Sequence, residues 1–285
     1  MSLTSWIEDA QVRVHLDAIT PKLEPFNPRL VVKHVGGHAQ TIGTAFDYAL
    51  RIELRRLHPS AVHETLVAEL APMLMSGHPV WDRCATEYAL TRRSVETYVR
   101  QSTVAPEDRA RMARSSVQHA HLDVIKRAGP RGPDVFPAVA FLEPSSDEVE
   151  QVLQLLDRVP FKHFAPPLFL NPTFGPYSVA VGGADADVIT GETLVDIKTT
   201  SDPAQDRRRN IRQLIGYFLL SRWQRLDCGP EAPEIDALEI YYSRQARFLR
   251  LEVAEILRAP SFKEHEHALR KTLARGPLRG ATLTM

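Results

Sequence analysis

The sequence predicts an α/β protein, in which a sheet with helices carries an added, largely helical region. Its 285 residues are 44% hydrophobic and 25% charged, ordinary proportions for a globular protein that exclude disordered, collagen-like and disulfide-scaffold classes. In the first half, apolar residues recur at the three- and four-residue spacing of helices, whereas beyond residue 176 they alternate as in strands. The expected order is a helix, a helical region, three strands, a helix, two strands and a helix.

Helical periodicity dominates the first half. Residues 1–40 look irregular, with one short helix at most, because three prolines interrupt them (Pro21, Pro25 and Pro28). A strong amphipathic helix begins at Thr41 and stops before Pro59. Segment 145–148, Ser-Ser-Asp-Glu, has the pattern of a capping box and opens a later helix. Between them, helices are predicted over 63–75, 80–98 and 106–128.

Five strands are predicted in the second half, over 177–181, where apolar residues alternate, and over 185–189, 193–198, 237–242 and 247–252. The second and third are separated by Gly191-Glu192, and a two-residue loop with glycine favours a hairpin. Helical periodicity returns in two places, over 204–223 and 261–274.

Cysteine usage and hydropathy indicate the compartment. Cys84 and Cys228 fit no paired metal spacing and no disulfide framework, which favours a reduced, cytoplasmic setting. The first residues lack a basic region followed by an apolar stretch, so no signal peptide is expected. The longest apolar run, 214–220, is far shorter than the roughly 20 residues of a spanning helix, so no membrane contact is expected.

Charge is balanced overall but not locally. The 35 Lys+Arg residues equal the 35 Asp+Glu residues, which excludes a uniformly cationic protein that coats nucleic acid. Four arginines nevertheless cluster at the start of the 204–223 helix: Arg207, Arg208, Arg209 and Arg212. Such a run is either a solvated helix face or a phosphate-binding patch, and the sequence leaves both open.

Closing the hairpin symmetrically on its glycine loop brings carboxylates together. Asp187 then falls opposite Asp196, and one strand position further Asp185 falls opposite Lys198. Opposed like charges destabilise a sheet, but bound Mg²⁺ or Mn²⁺ offsets the repulsion because both ions prefer hard oxygen ligands. A lysine beside such a pair can position a water or stabilise negative charge, which is the equipment for hydrolysing a phosphodiester.

These residues resemble a known family. Asp187, followed after eight residues by Asp196-Ile-Lys198, resembles the signature of the PD-(D/E)xK nuclease superfamily. Gln213 and Tyr217, in the helix that follows, are similar to the Gln-x-x-x-Tyr motif of its RecB-like and Cas4-like branch. The resemblance covers residues 41–55 and roughly 177–225.

A third motif shows a departure from the family. Gly43-Thr-Ala-Phe-Asp47 resembles the Gly-x-x-x-His motif of the branch, but Asp stands where the family has a metal-ligating histidine. Because carboxylates also bind Mg²⁺ and Mn²⁺, the resemblance still implies a ligand role for Asp47. The alternative is that Asp47 only forms a surface ion pair with Arg51, four residues further along the helix.

The resemblance implies a restriction-endonuclease-like core, with a mixed central sheet flanked by helices and a large helical insertion. Residues 1–285 would then form a single nuclease domain. Its core would comprise approximately 41–58 and 165–258, the insertion 59–164, and the C-terminal helix and tail 259–285.

The resemblance also implies a function: a divalent-metal-dependent nuclease acting on DNA, in repair, recombination or defence against phage and plasmids. Asp187 and Asp196 would hold the metal with the backbone carbonyl of Ile197, and Lys198 would orient or activate the attacking water. Gln213 and Tyr217 would steady Lys198 or contact the DNA backbone. Asp185 remains the alternative to Asp187, because both side chains point to the same face of the hairpin.

Further expectations concern cofactors and partners. Some relatives hold an iron–sulphur cluster on four cysteines, and two cysteines cannot supply that set, so no cluster is expected. No phosphate-loop motif is present, so translocation along DNA would require a helicase or other ATPase partner. The competing hypothesis is a catalytically weak or inactive nuclease fold that serves as a nucleic-acid-binding scaffold subunit.

Overall fold

Helices account for most of the chain in the structure, a computed structural model that describes residues 3–224 and 232–274. Cys228 and the tail from residue 275 lie outside these ranges. In chain order the helices are α1 (Leu3–Glu8), α2 (Ala10–Ile19), α3 (Ala39–Leu57), α4 (Ala71–Leu74), α5 (Pro79–Val99), α6 (Pro106–Arg127), α7 (Gly132–Val135), α8 (Ala138–Leu142), α9 (Ser146–Leu156), α10 (Pro176–Ala180), α11 (Arg207–Trp223), α12 (Val253–Leu257) and α13 (Phe262–Ala274).

Within the described residues the strands form one open, mixed sheet, so the α/β prediction is confirmed. The strands are β1 (Val62–His63), β2 (Leu168–Leu170), β3 (Val188–Thr190), β4 (Thr193–Lys198), β5 (Ala237–Tyr242) and β6 (Arg247–Glu252), and they are neighbours in that order. The pairs β1–β2 and β4–β5 are parallel, and the other neighbouring pairs are antiparallel.

The predicted hairpin register is confirmed for the β3–β4 pair. Val188 pairs with Val195 and Thr190 with Thr193. Gly191 has a φ of 57°, a left-handed conformation that glycine adopts without a Cβ clash and that a tight hairpin turn requires. The two-residue turn therefore fixes the register of the hairpin, that is, which residues of β3 lie opposite which residues of β4.

Both faces of the sheet are covered by helices, and alternation along the strands decides which core each residue joins. Leu194 of β4 packs in a core with α1, α2, α11 and α13, whereas Val195 and Ile197 pack with α3, α6 and α9. Asp196 and Lys198 lie two and four residues after Leu194 on the same strand, so their side chains point to the same face of the sheet, toward α11.

Several predicted elements are wrong in their detail. Residues 177–181 form most of helix α10 instead of a strand, because Pro176 starts a helix and Tyr177 and Ala180 are buried one turn apart while Val179 is exposed. Only Val188 and Ile189 of the second predicted strand are in β3. Strand β2 was not predicted, since its three residues are buried on both faces and show no alternation.

The first half also differs from expectation. Residues 63–75 are not one helix: His63 belongs to β1, and only α4 is α-helical, after a 3₁₀ turn at Val67–Leu70. The first 40 residues contain two helices, and Asp9 caps the second by accepting from the amides of Gln11 and Val12.

Helix α9 starts where the capping box predicted, but the box itself does not form. The Ser145 side chain accepts no capping hydrogen bond, and Glu148 is buried at 3.9 Å from His121. Among the described helices, none has the length and apolar character needed to cross a bilayer.

Candidate active site

A polar cleft of about 590 Å³ opens at the end of the sheet where β4 stops and β3 begins. Every residue of the proposed nuclease centre lines it: Asp47, Asp185, Asp187, Asp196, Ile197, Lys198, Gln213 and Tyr217. These come from α3, the β3–β4 hairpin with the loop before it, and α11. Gly43 of the first motif packs against Thr199, directly after β4, where an added Cβ would lie 3.5 Å from the threonine Cβ.

Asp187 is held against β4 by the backbone. Its Oδ2 accepts a hydrogen bond of 2.6 Å from the amide of Ile197, and its own carbonyl accepts from Asn171 at the end of β2. Regular pairing between β3 and β4 ends at Val188 and Val195. The Asp187 carboxylate therefore contacts the backbone of Ile197, next to Asp196, and does not stand directly opposite Asp196 as the symmetric register predicted.

Asp185 does not extend the hairpin as the symmetric register predicted. It forms an isolated antiparallel bridge with Thr173, so its predicted position opposite Lys198 is wrong. Its side chain is exposed but still lines the cleft, and the choice between Asp185 and Asp187 as principal ligand stays a prediction.

Asp196 is the most buried acid of the cleft, with 2% of its surface exposed. Burial raises its pKa to about 6; the Asp187 carboxylate adds to the rise and Lys198 opposes it. The Lys198 Nζ lies 2.7 Å from Asp196 Oδ2, although this oxygen has no partner with hydrogen-bond geometry. Burial acts to lower the pKa of Lys198, but Asp196 and Asp187 outweigh it and raise that pKa, so Lys198 is a cation at neutral pH.

The direction of the Ile197 carbonyl follows from strand geometry. The amide and carbonyl of one strand residue point toward the same neighbouring strand. Because the Ile197 amide points to Asp187, its carbonyl faces the same side of β4. Strand β3 starts at Val188, opposite Val195, and does not extend as far as Ile197. The carbonyl therefore has no ladder partner on that side and is turned to the cleft.

Asp47 reaches the cleft from α3, beneath the other face of the sheet. It forms the ion pair with Arg51 that the sequence left open, but the pair is not a surface pair, since 19% of the Asp47 side chain and 8% of the Arg51 side chain are exposed. The second oxygen, Asp47 Oδ1, is buried with no hydrogen-bond partner among the described residues.

Arg51 connects Asp47 of α3 to Asp187 of the hairpin. Its guanidinium donates to Asn171 Oδ1 at 2.7 Å, and the amide of Asn171 donates to the Asp187 carbonyl. Burial lowers the pKa of Arg51, while nearby carboxylates, first Asp187, oppose this. Asp47 and Asp187 are therefore held in fixed relation through two intervening residues.

Gln213 and Tyr217 lie one turn apart on α11, as predicted, and contact each other. The Gln213 amide donates to the Tyr217 hydroxyl at 3.1 Å, and the Tyr217 ring stacks on Phe174 with centroids 5.6 Å apart. Burial raises the pKa of Tyr217, and the Asp196 and Asp187 carboxylates add to the rise. Neither side chain hydrogen-bonds Lys198 within the described residues, so their effect on the lysine stays a prediction.

The arginine run divides into two groups. Arg212 is buried and pairs with Glu8 at 3.0 Å and Asp17 at 3.1 Å, which ties α11 to α1 and α2. Arg207 donates to the backbone carbonyl of Glu24 and lies over the Phe26 ring. The two remaining members, Arg208 and Arg209, are exposed.

The donor set fits a hard divalent cation. Asp47 Oδ1 and Asp196 Oδ2 are buried carboxylate oxygens without hydrogen-bond partners, and carboxylate oxygens are the ligands that Mg²⁺ and Mn²⁺ prefer. In residues 3–224 and 232–274, however, no three His, Cys, Asp or Glu side chains already stand in a metal-binding arrangement. Lys198 and Arg51 neutralise two of the acids instead.

Sequence reasoning missed several residues of the cleft. Asn171 belongs to no motif, and Arg51 was considered only as a partner of Asp47. Three residues at the end of α6 also line the cleft: Asp123, Lys126 and Arg127. The only sequence signal for the last two is an ordinary one, basic residues in the last turn of a helix.

Comparisons with protein-family models, with curated proteins and with solved structures find no match.

Proposed function

We propose that this protein is a divalent-metal-dependent nuclease that hydrolyses DNA phosphodiester bonds on a restriction-endonuclease-like core. One observation carries the proposal: three motifs as far apart in sequence as Asp47 and Tyr217 line a single cleft. A chance resemblance in one motif would not bring the other two to the same place.

Asp47, Asp187, Asp196 and the Ile197 carbonyl are the residues that would hold the metal. A bound Mg²⁺ or Mn²⁺ would supply Lewis-acid stabilisation of charge on the scissile phosphate. Asp196 favours such an ion because its carboxylate is buried and lies close to the Asp187 charge, so an added cation relieves a repulsion that is already present.

Lys198 acts as a hydrogen-bond donor in this proposal. Its raised pKa keeps the ammonium charged at neutral pH, which suits it to orient a water through a lone pair of the water oxygen and to stabilise phosphate charge. It is not suited to remove a proton from that water. Tyr217 and its hydrogen-bond partner Gln213 line the same cleft as Lys198.

A test compares the wild type with Lys198→Ala on linear, circular and single-stranded DNA, with Mn²⁺ or with EDTA. We expect metal-dependent cleavage by the wild type and a loss of roughly 10²- to 10³-fold in the variant, as for removal of one charge-stabilising donor. Lys263→Ala, an exposed lysine of α13, is the control and should cleave like the wild type.

The scaffold hypothesis remains the second candidate, because Asp47 is paired with Arg51 instead of being free to ligate. DNA binding without metal-dependent cleavage on any substrate would overturn the enzyme proposal and favour the scaffold. Digestion of linear but not circular DNA would identify an exonuclease.

A further inference from the structure

The longest helix of the predicted insertion ends at the cleft. The last turns of α6 contribute Asp123, Lys126 and Arg127 to the same lining as the acids of β3 and β4. Helix α6 packs along α3, the helix that carries Asp47. These three residues of the insertion, the wall, therefore form one side of the site.

Buried hydrogen bonds fix this wall relative to the acids. The Tyr48 hydroxyl donates to Asp123 Oδ1 at 3.0 Å and accepts from the amide of Ala68 at 3.1 Å. Because Tyr48 adjoins Asp47 in α3, the end of α6 cannot shift far from the proposed metal ligand without breaking these bonds.

The cations of the wall differ from the other cations of the cleft. Lys198 and Arg51 are engaged by Asp196 and Asp47. Lys126 is exposed and has no ion pair within the part of the chain that the structure describes. Arg127 pairs with Asp123 through Nε, yet 61% of its side chain is exposed.

The helix dipole accounts for cations at a helix end but not for their place in this cleft. Basic residues in a last turn are stabilised by the partial negative charge there. That effect would be the same if the end of α6 pointed elsewhere. Here it points two cations into a cleft whose floor would hold a scissile phosphate, and a nucleic-acid strand carries further phosphates on either side of that one.

We propose that Lys126 and Arg127 bind a phosphate of the nucleic-acid strand that adjoins the scissile phosphate, so that the helical region 59–164 forms one side of the substrate path. This rests on the proposed function and deepens it, because it names the side chains that bind the nucleic-acid strand beyond the reacting phosphate.

The test measures binding and cleavage separately on the full chain. Binding of a fluorescent single-stranded oligonucleotide is followed by anisotropy, in EDTA and in Ca²⁺, over a salt series. For Lys126→Ala/Arg127→Ala we expect affinity to fall about tenfold and the slope of log K against log salt to fall by about 1, the signature of lost phosphate contacts.

The same helix offers a charge-matched control. Arg109→Ala/Arg111→Ala also removes two positive charges from α6, and Arg111 pairs with Asp108 one turn back as Arg127 pairs with Asp123. The two sites lie about 24 Å apart along the helix axis. The control should bind within about twofold of the wild type and keep its salt slope.

Cleavage distinguishes a wall from the reacting centre. The wall variant should lose more kcat/KM on the oligonucleotide than on bis(p-nitrophenyl) phosphate, which carries a single phosphate, with the loss mainly in KM. Equal losses on both substrates would overturn the proposal, as would equal weakening by the two double variants, or no binding by the wild type.

Failure of the proposed function gives a different pattern. If the wild type binds the oligonucleotide and the wall variant does not, while neither cleaves, phosphate binding by Lys126 and Arg127 is supported and the nuclease proposal is overturned. If the wild type cleaves and the wall variant retains its oligonucleotide KM, the nuclease proposal is supported and phosphate binding by Lys126 and Arg127 is overturned.

Discussion

Two of the acid–base pairs that face the cleft contain proposed metal ligands, one on strand β4 and one on helix α3. On β4, Asp196 and Lys198 are two residues apart and share a face because strand side chains alternate. On α3, Asp47 and Arg51 are four residues apart and share a face because a helix turns every 3.6 residues. Each pair is local in sequence, yet they come from opposite sides of the sheet.

The pairs differ in what surrounds them. Asp196 is closed off by α11 and lies beside a second carboxylate, so its own charge is unfavourable and its pKa is raised. One oxygen of Asp47 has no hydrogen-bond partner in the described part of the chain, and the Arg51 guanidinium that pairs with Asp47 also donates to Asn171. In the proposed nuclease, the strand pair would therefore lie at the reacting centre, and Asp47 of the helix pair would be a ligand whose position is fixed by its neighbours.

The largest expected effect separates the two acids by activity. If the proposed function holds, Asp196→Asn should lower metal-dependent cleavage by about 10³-fold, because it removes a charge proposed to bind the metal. Asp47→Asn should cost only about tenfold, since Asp47 is one of several proposed ligands and its charge is already paired with Arg51. Initial rates at saturating Mn²⁺ measure both, and losses of equal size would break the comparison.

A second prediction concerns stability and Arg51. Arg51→Ala should lower the free energy of unfolding by about 3 kcal/mol, because Asp47 is then a buried charge without its partner. In the Asp47→Asn background the same change should cost less, and chemical denaturation of the four proteins gives the coupling. Additive losses would show that the Asp47 charge contributes nothing to holding Arg51, which would then depend on Asn171 and on packing.

The third prediction uses a buried histidine behind the helix pair. His119 of α6 packs on Tyr48, and neither of its ring nitrogens has a hydrogen-bond partner in the described chain. Burial, with a smaller contribution from Arg92, lowers its pKa to about 4. Between the unfolded pKa of about 6.5 and this value, only the unfolded chain binds the proton, so stability falls as pH falls.

His119→Phe should remove this acid sensitivity. Wild-type stability should drop by about 2 kcal/mol more than that of the variant between pH 7 and pH 4.5. Thermal melts of the metal-free proteins across this range measure the difference, and His267→Phe, an exposed histidine of α13, is the matched control. Parallel curves for all three proteins would contradict the assignment.

Asp196 should give the opposite slope. Its pKa is raised in the folded state, so the folded chain binds more protons between pH 4 and 6 and stability falls as pH rises through that window. Above pH 6 the penalty is complete. Asp196→Asn should therefore remove this pH dependence of the unfolding midpoint, and melts of the metal-free proteins between about pH 4 and pH 7 measure it. Parallel curves for the wild type and the variant would contradict the raised pKa.

The smallest effect distinguishes the two candidate hairpin ligands. Asp185→Asn should change cleavage by less than about threefold, because an exposed side chain has little desolvated charge to contribute. Asp187→Asn should reduce it by about 10²-fold. Rates and Mn²⁺ affinity of the two variants decide between them, and a larger loss for Asp185 would reverse the assignment.

The residues that local rules could place were placed from the sequence. Ala237–Tyr242 and Arg247–Glu252 are strands at the predicted bounds, because two runs of six residues rich in strand-forming side chains and joined by a short turn leave few other conformations. Helices α5 and α6 begin and end within a residue of their predicted bounds, since their apolar stripe is long. The sequence did not predict the strands Leu168–Leu170 and Val62–His63, because such short strands are defined by the neighbouring strands with which they pair.

By itself, the sequence determined the hairpin register, the shared face of Asp196 and Lys198 and the adjacency of Gln213 to Tyr217, because periods of 2 and 3.6 are set by backbone geometry within one element. Only the tertiary structure decided that Arg212 is bound to Glu8 and Asp17, that Asn171 joins Arg51 to Asp187, and that α6 ends at the acids. These contacts join residues far apart in the chain, and their geometry depends on how whole helices pack on the sheet.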